Sequence, residues 1–407
     1  MNRRRFSALT GASVIGLNGC RSLSEPKTTF GENPFDQEVE SFMADRRVPG
    51  ASLSVSRDGQ EVYRQAYGVA DRDSGEKVTT RSLFRVASIS KPLTAVAILK
   101  LIQDGKLRLQ DRILDFLVQR PFLSHGAKMD PRWREVTVQH CLQHTGGWDR
   151  DKSFDPMFRS REFADRLGHA PPSGVDSVIR VMLGRLLDFD PGQRYAYSNF
   201  GYCLLGRTLE SVTGMAYATW MEKHLLAPLG IHSMRLGKTR WSERLKGEVR
   251  YHMPSEEKAT TVIEASEKKV PWPYGGFYLE AMDAHGGWLS SASDLVRFTE
   301  AVLAGDVIED VWLKTMVAPP EAPVWRRGDG TVNDYFYGYG WLVRPKGEKG
   351  FNLWHSGSLP GTRTLLVHRW DGWTWAILFN QRQNLVGKPD SAIDAALHRA
   401  ANRFSAV

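Results

Sequence analysis

Hydrophobic residues recur with a helical period in two segments, one near each end of the chain. In the segments next to these two, hydrophobic and polar residues alternate. Residues 36–47 place apolar side chains on one helical face, which predicts an amphipathic helix. Residues 51–56 and 61–69 are β-rich around Asp58-Gly59, which predicts a hairpin. Residues 92–103 are apolar nearly all round, a pattern typical of a buried helix.

The rest of the chain predicts a helical middle followed by strands. Residues 107–300 are dominated by helical periods and loops, and we expect the polar stretch 255–269 to be a surface loop. Ser293-Asp294 predicts the start of a helix that ends at Leu303. Four strands and a last helix are predicted at 337–343, 352–358, 363–368, 374–379 and 390–404.

This order of elements predicts an α/β plus all-α fold. The N- and C-terminal pieces would share one central antiparallel sheet flanked by helices, with a helical domain inserted between them. We therefore expect one domain over residues 36–400. Its α/β part would comprise residues 36–105 and 285–405, and its helical part residues 106–284.

The amino-acid composition excludes several classes of protein. The chain has 407 residues, 42% hydrophobic and 25% charged, which excludes a disordered or fibrous protein. The net charge is +8, but the signs are mixed along the chain, so we expect no nucleic-acid partner. Cys20, Cys141 and Cys203 lack metal-ligand spacing, and we expect neither a metal nor a cofactor. Cys141 and Cys203 are predicted to be buried thiols, with a disulfide as the alternative.

The first residues predict export. Three arginines, Arg3 to Arg5, precede a weakly apolar stretch at 8–17 that is too short to span a bilayer. The arginines resemble a twin-arginine signal, and residues 17–20 resemble a lipoprotein cleavage box. We expect a signal at 1–19, a lipidated Cys20, a tether at 20–35 and a place in the bacterial cell envelope, with membrane contact only through the lipid. The alternative is an uncleaved leader with an incidental cysteine.

Ser88 and Lys91 are the first candidates for chemistry. Five Ser-x-x-Lys pairs occur in the chain, and only this one opens an apolar helix. On a helix the two side chains share a face, and a lysine whose pKa is lowered by burial could take the proton of the serine. The alternative is that Ser88 or Ser90 merely caps the helix.

Tyr197 and Asn199 form the only Tyr-x-Asn in the chain, between a Pro-Gly turn and an apolar helix predicted at 200–212. A tyrosine with a lowered pKa could relay a proton, and an asparagine could hold a substrate amide or orient the lysine. The alternative is a core tyrosine followed by an asparagine N-cap.

A third element, His355-Ser356-Gly357-Ser358, lies on the strand predicted at 352–358. Gly357 would let substrate backbone approach the strand edge, and the N–H of Ser358 could point at a carbonyl oxygen. A similar triplet, His144-Thr145-Gly146, lies in a predicted loop and is poorly placed for a sheet edge.

The order and contexts of these elements resemble the serine β-lactamase and penicillin-binding-protein superfamily. The resemblance is to its β-lactamase-related branch, which includes class C β-lactamases, related esterases and D-amino-acid peptidases, and it extends over residues 36–400. Supporting blocks are VTVQHCLQHTGGW, AHGGWLSSASDLVRF and WHSGSLPG. The resemblance implies a site in the cleft between an α/β domain and an all-α domain.

Carried over to this sequence, the resemblance implies five roles. Ser88 would be the acylated nucleophile and Lys91 its proton partner. Tyr197 would be the second acid/base, and Asn199 a substrate contact. The N–H groups of Ser88 and Ser358 would form an oxyanion hole.

His355 departs from the pattern, because β-lactamases usually carry Lys-Thr-Gly at this place. Histidine has a reference pKa of about 6.5 and is mostly neutral at pH 7, which argues against strong β-lactamase activity. We therefore expect an exported serine hydrolase that forms an acyl-enzyme on Ser88 and hydrolyses a small-molecule or peptidoglycan-derived ester or amide. The alternatives are a β-lactamase or D-Ala-type peptidase, and a non-catalytic protein that binds peptidoglycan fragments.

Overall fold

The computed structural model describes residues 33–117, 123, 126–255, 257–320, 331, 333–382 and 389–404. The predicted signal, Cys20 and most of the tether lie outside these residues. The strands are β1 Gly50–Arg57, β2 Gln60–Gly68, β3 Phe84–Arg85, β4 Arg235–Leu236, β5 Lys258–Thr260, β6 Lys269–Pro271, β7 Trp288–Ser290, β8 Phe336–Tyr337, β9 Leu342–Pro345, β10 Phe351–Leu359, β11 Thr362–His368 and β12 Trp373–Phe379. The α-helices are α1 Pro34–Arg46, α2 Ser90–Gln103, α3 Val138–Leu142, α4 Ser160–Leu167, α5 Val175–Leu183, α6 Asn199–Thr213, α7 Tyr217–Trp220, α8 Ala292–Leu303, α9 Asp310–Met316 and α10 Pro389–Phe404.

A seven-stranded sheet joins the two ends of the chain, in the order β2-β1-β12-β11-β10-β9-β8. The N-terminal hairpin meets the C-terminal strands where β1 pairs antiparallel with β12, from Ala51 opposite Phe379 to Arg57 opposite Trp373. Strand β1 is buried along almost its whole length because helices cover both faces of the sheet, whereas the edge strand β2 is largely exposed. The predicted central antiparallel sheet is confirmed.

Successive side chains of β12 point to opposite faces of the sheet, and each face packs into its own hydrophobic core. Trp375 and Ile377 pack with residues of α1 and α10, such as Val39 and Leu397, in one cluster. Ala376 and Leu378 of β12 belong to the larger cluster that includes residues of α2, α6 and α8. A strand with both faces covered must be apolar at successive positions, as this strand is.

Three predicted elements are corrected by the structure. The strand predicted at 337–343 is two strands, because Gly340 adopts a left-handed φ of 83° at the turn between β8 and β9. Helix α8 begins earlier than predicted, since the Ser291 Oγ accepts from the Asp294 N–H at 3.2 Å and is the N-cap. The predicted surface loop at 255–269 contributes to a short hairpin formed by β5 and β6.

The described residues contain no helix long and apolar enough to cross a membrane. Cys141 and Cys203 are buried thiols that form no disulfide, as the sequence predicted.

Candidate active site

The segment before Ser88 is held against the central sheet. Ser88 lies in a short 3₁₀ turn, Ala87–Ile89, which leads directly into α2. Ala87 has a φ of 50°, a left-handed conformation that non-glycine residues rarely adopt. The Thr364 Oγ1 on β11 donates to the Val86 carbonyl at 2.9 Å, which fixes this segment beside β10.

Gly357 makes this close packing sterically feasible. A Cβ at position 357 would clash with the Val86 carbonyl oxygen and the Thr364 Oγ1, and would lie 3.2 Å from the Ala87 Cβ. The sequence pattern predicts that this glycine lets substrate backbone approach the strand. In the structure it admits the protein's own backbone immediately before Ser88.

Lys91 links Ser88 to the helical part of the protein. Its Nζ lies 3.3 Å from the Ser88 Oγ, donates to the Asn199 Oδ1 at 2.7 Å and donates to the His285 carbonyl at 3.0 Å. The Asn199 Nδ2 in turn donates to the Asp155 Oδ2 at 2.5 Å. The structure thus brings together the predicted motif residues Ser88, Lys91 and Asn199, and Asn199 accepts a hydrogen bond from the lysine.

The environment of Lys91 favours the neutral amine. The side chain is fully buried, and this burial lowers its pKa well below the ordinary value, because a charged ammonium loses its hydration. The nearby Asp155 carboxylate opposes the shift and the Arg150 guanidinium adds to it. A neutral lysine beside a serine hydroxyl can accept the proton of that hydroxyl.

Tyr197 shares a side-chain hydrogen bond with Ser88. Burial raises the pKa of Tyr197, and its hydrogen bond with Ser88 only partly opposes that effect. The Lys91 Nζ lies 4.7 Å from the centroid of the Tyr197 ring. The expectation of a lowered tyrosine pKa is therefore wrong, because in this environment the phenol keeps its proton. Ser198, rather than Asn199, is the N-cap of α6.

His144, whose triplet in the sequence is poorly placed for a sheet edge, packs directly against Tyr197. Its ring centroid lies 4.3 Å from that of Tyr197 and 4.4 Å from that of Tyr337. The buried Nδ1 accepts from the Ser198 N–H at 3.1 Å, and the backbone of His144 has a left-handed φ of 58°. The loop triplet is unsuited to a sheet edge, as expected, but it supports the tyrosine motif. Its presence in the block VTVQHCLQHTGGW was the signal for this role.

His355 lies on β10 and is buried, with its Nε2 3.1 Å from the Tyr337 hydroxyl. Burial is the main cause that lowers the pKa of His355 to about 3. The expected neutral histidine is therefore the form present at neutral pH.

Ser358 lies further along β10, opposite Arg363 of β11. The pairing of β10 with β9 ends at Trp354, so the stretch that contains Ser358 pairs with β11 alone. This open edge lies on the strand that packs beside Val86 and Ala87.

Asp155 and Arg150 also lie at the site, although no sequence motif predicts them. Both belong to a loop whose composition gives no signal beyond polarity, and only the fold carries this loop to Asn199 and Tyr197. The Arg150 Cζ lies 4.6 Å from the centroid of the Tyr197 ring. Burial raises the pKa of Asp155, opposed first by its hydrogen bond from Asn199. Among the described residues, no group of three His, Cys, Asp or Glu side chains could hold a metal ion.

A serine within hydrogen-bond distance of a fully buried lysine and beside a tyrosine, on an antiparallel sheet with a helical region packed against it, is the arrangement of a serine hydrolase active site. Comparison with known proteins gives the family. The beta-lactamase family model matches residues 35–400, so the chain belongs to the beta-lactamase family of serine hydrolases.

Individual relatives are similar at moderate identity. Penicillin-binding protein 4* of Bacillus subtilis is 28% identical over 364 residues, 89% of this chain and 74% of that protein. Esterase EstB of Burkholderia gladioli is 29% identical over 285 residues, 66% of this chain and 69% of that protein. The solved D-amino acid amidase of Ochrobactrum anthropi SV3 has a TM-score of 0.70 at 20% identity and covers 91% of this chain and 99% of its own. This last likeness supports the fold.

Proposed function

We propose that the protein hydrolyses an ester or amide through an acyl-enzyme on Ser88. The observation that carries this proposal is the buried Lys91, whose Nζ lies 3.3 Å from the Ser88 Oγ and is held there by Asn199 and the His285 carbonyl. A lysine kept in this position with a lowered pKa is suited to be a general base.

In the acylation step the Ser88 Oγ bonds to the substrate carbonyl carbon and its proton passes to the Lys91 Nζ. The Tyr197 hydroxyl then gives its proton to the leaving group as the bond to that group breaks. Lys91 then gives the proton that it took from Ser88 to the Tyr197 phenolate, so that both groups return to their starting protonation states and all protons balance. In the second step a water molecule attacks the acyl carbon, its proton passes to Lys91, and the Ser88 Oγ leaves protonated.

The other motif residues support this chemistry in different ways. Asn199 contacts both Lys91 and Asp155 with its amide, which favours a role as a positioning residue over the implied substrate contact. The backbone N–H groups of Ser88 and Ser358 are proposed as the oxyanion hole, a feature worth about 3–4 kcal/mol per donor in serine hydrolases.

The substrate preference follows from His355. A neutral imidazole lacks the permanent charge that would pair with the carboxylate of a penicillin on β10, so we place short-chain esters and amides ahead of β-lactams. The D-Ala-type peptidase and β-lactamase alternatives differ from this proposal in the substrate, not in the nucleophile.

The test labels the purified protein with a fluorophosphonate and measures kcat/KM for 4-nitrophenyl butyrate and for a chromogenic cephalosporin. We expect one adduct, on Ser88, and none in Ser88→Ala. Ser90→Ala is the matched control, because the Ser90 Oγ instead accepts from the Trp288 N–H at 3.3 Å. An adduct that survives in Ser88→Ala would overturn the nucleophile, and a faster reaction with the cephalosporin than with the ester would make the protein a β-lactamase.

We also propose export to the bacterial envelope with a lipid on Cys20, on the basis of the arginine-led leader. Expression of the full chain in a bacterium should give a membrane-associated protein whose N-terminal residue is an acylated Cys20, whereas Cys20→Ser should be released from the membrane. Recovery of the unprocessed chain from the cytosol would contradict export.

A further inference from the structure

Arg150 places a permanent positive charge over the candidate acid. Its Cζ lies 4.6 Å from the centroid of the Tyr197 ring, and the Tyr197 hydroxyl bonds to Ser88. The Arg150 charge contributes to the pKa shifts of three surrounding groups, Lys91, His144 and Asp155. A ligand bound at Arg150 would therefore be separated from Ser88 by about the width of the Tyr197 ring.

The guanidinium retains its capacity to bind an anion. The side chain is 43% exposed, and within the described part of the chain its only ion-pair contact is with Asp151, at 4.0 Å. Asp151 itself is 93% exposed, so this contact is weak. An arginine stacked on an aromatic face keeps its N–H donors in the plane of the guanidinium, where they can form two parallel bonds to a carboxylate.

The other charged or titratable groups at the site do not supply such a cation. His355 is neutral, and burial favours the neutral form of Lys91. Asp155 lies on the far side of Asn199, which donates to its carboxyl group. Compared with His355, Lys91 and Asp155, Arg150 is the partly exposed cation of the site and is suited to bind a negatively charged group.

We propose that Arg150 binds a carboxylate of the substrate and thereby selects anionic esters or amides. This inference rests on the proposed acyl transfer at Ser88 and adds a feature of its substrate. It also assigns anion recognition to the loop that precedes Asp155, rather than to β10, where the family pattern has a lysine. The carboxylate can belong to the acyl part or to the leaving group, and the test separates the two.

The experiment compares kcat/KM for two pairs of substrates. The acyl-side pair is 4-nitrophenyl hemisuccinate and 4-nitrophenyl butyrate, and the leaving-group pair is 3-carboxyphenyl butyrate and phenyl butyrate. For one pair we expect Arg150→Met to lower the charged-to-neutral ratio by about 10- to 100-fold, the usual effect of losing a charge-assisted hydrogen bond. Methionine keeps apolar packing on the ring but removes the charge, and Arg150→Lys should restore part of the ratio.

Lys152→Met is the matched control, because Lys152 lies on the same loop and carries the same charge, but its Nζ donates to the Asp188 carbonyl at 2.9 Å. Its charged-to-neutral ratio should equal that of the wild type. The proposal is overturned if Arg150→Met keeps both ratios, or if Lys152→Met lowers a ratio equally. Failure of the acyl-transfer proposal has a different signature, namely hydrolysis of all four esters by Ser88→Ala.

Discussion

The carbonyl oxygen of Val86 packs against the Cα of Gly357, leaving no room for a side chain at that position. This contact joins the segment that precedes the nucleophile to the strand that is proposed to supply half of the oxyanion hole. The position of Ser88 relative to β10 therefore depends on a glycine that need not touch the substrate.

Gly357→Ala should separate the nucleophile from β10. The added Cβ must displace both the Val86 carbonyl and the Thr364 hydroxyl, and such overpacking destabilises proteins by about 1–3 kcal/mol. A displacement of about 1 Å at the reacting groups can reduce kcat/KM by about 100-fold. The check is kcat/KM for 4-nitrophenyl butyrate, together with urea unfolding.

Gly174→Ala is the control for this variant, because a Cβ at position 174 meets no atom within 4 Å. It should retain both activity and most of its stability. Wild-type kcat/KM in Gly357→Ala would contradict the proposed dependence of the site on this contact.

Lys91→Met and Tyr197→Phe should each lower kcat/KM by about 10²- to 10⁴-fold, as expected when a general acid or base is removed. The double variant should be little worse than the poorer single variant, because both residues serve one proton-transfer unit around Ser88. Single and double variants are compared with 4-nitrophenyl butyrate, with circular dichroism as the folding control. Fully multiplicative losses would mean that the two residues act in independent steps.

The elements of the sheet and its helices could be predicted from the sequence because each has a strong local pattern. The apolar run of α2 and the alternation of β10 each lie within one element, and the turn at Asp58-Gly59 joins two strands that are adjacent in sequence. The site could be predicted as far as it consists of short motifs. Ser88 and Lys91 are one helical turn apart, so their contact follows from local geometry alone.

The support for these motifs could not be predicted, because it depends on long-range contacts. Asp155 meets Asn199 across 44 positions of sequence, and His144 meets Ser198 across 54. The direction of the Tyr197 pKa shift was also missed, since burial is a property of the folded chain and not of the motif.

The neutral state of His355 predicts a flat pH dependence of substrate preference. With a pKa of about 3, this histidine gains no charge between pH 8 and pH 5. The ratio of kcat/KM for a cephalosporin to that for 4-nitrophenyl butyrate should therefore stay constant over this range, since any titration of the shared base cancels in the ratio. A ratio that rises as the pH falls would show that His355 becomes charged and attracts the cephalosporin carboxylate.

Lys91 should make stability depend on pH. In the unfolded chain a lysine has a pKa of about 10.4, whereas burial lowers the pKa in the folded protein. Between these two values the unfolded state binds more protons, so the free energy of unfolding rises with pH by up to about 1.4 kcal/mol per pH unit.

This stability prediction is checked by comparing the wild type with Lys91→Met, which lacks the titrating group. The free energy of unfolding of the wild type minus that of the variant should increase from pH 7 to pH 10, as measured by urea unfolding at each pH. A difference that is constant or falls over this range would mean that Lys91 is protonated in the folded protein.

Asp155 and Arg150 should move the acid limb of the pH profile in opposite directions. The Asp155 carboxylate favours protonated Lys91 and raises its pKa, whereas the Arg150 guanidinium lowers it. Since the base must be neutral to accept the proton of Ser88, kcat/KM falls as the pH drops through the pKa of Lys91. Asp155→Asn should therefore shift the limb to lower pH and Arg150→Met to higher pH.

The measurement is kcat/KM for the uncharged 4-nitrophenyl butyrate from pH 4 to pH 9, so that substrate ionisation plays no part. Asparagine can still accept from the Asn199 Nδ2, which preserves the orientation of that amide. Shifts of both variants in the same direction would show that the limb reports a group other than Lys91.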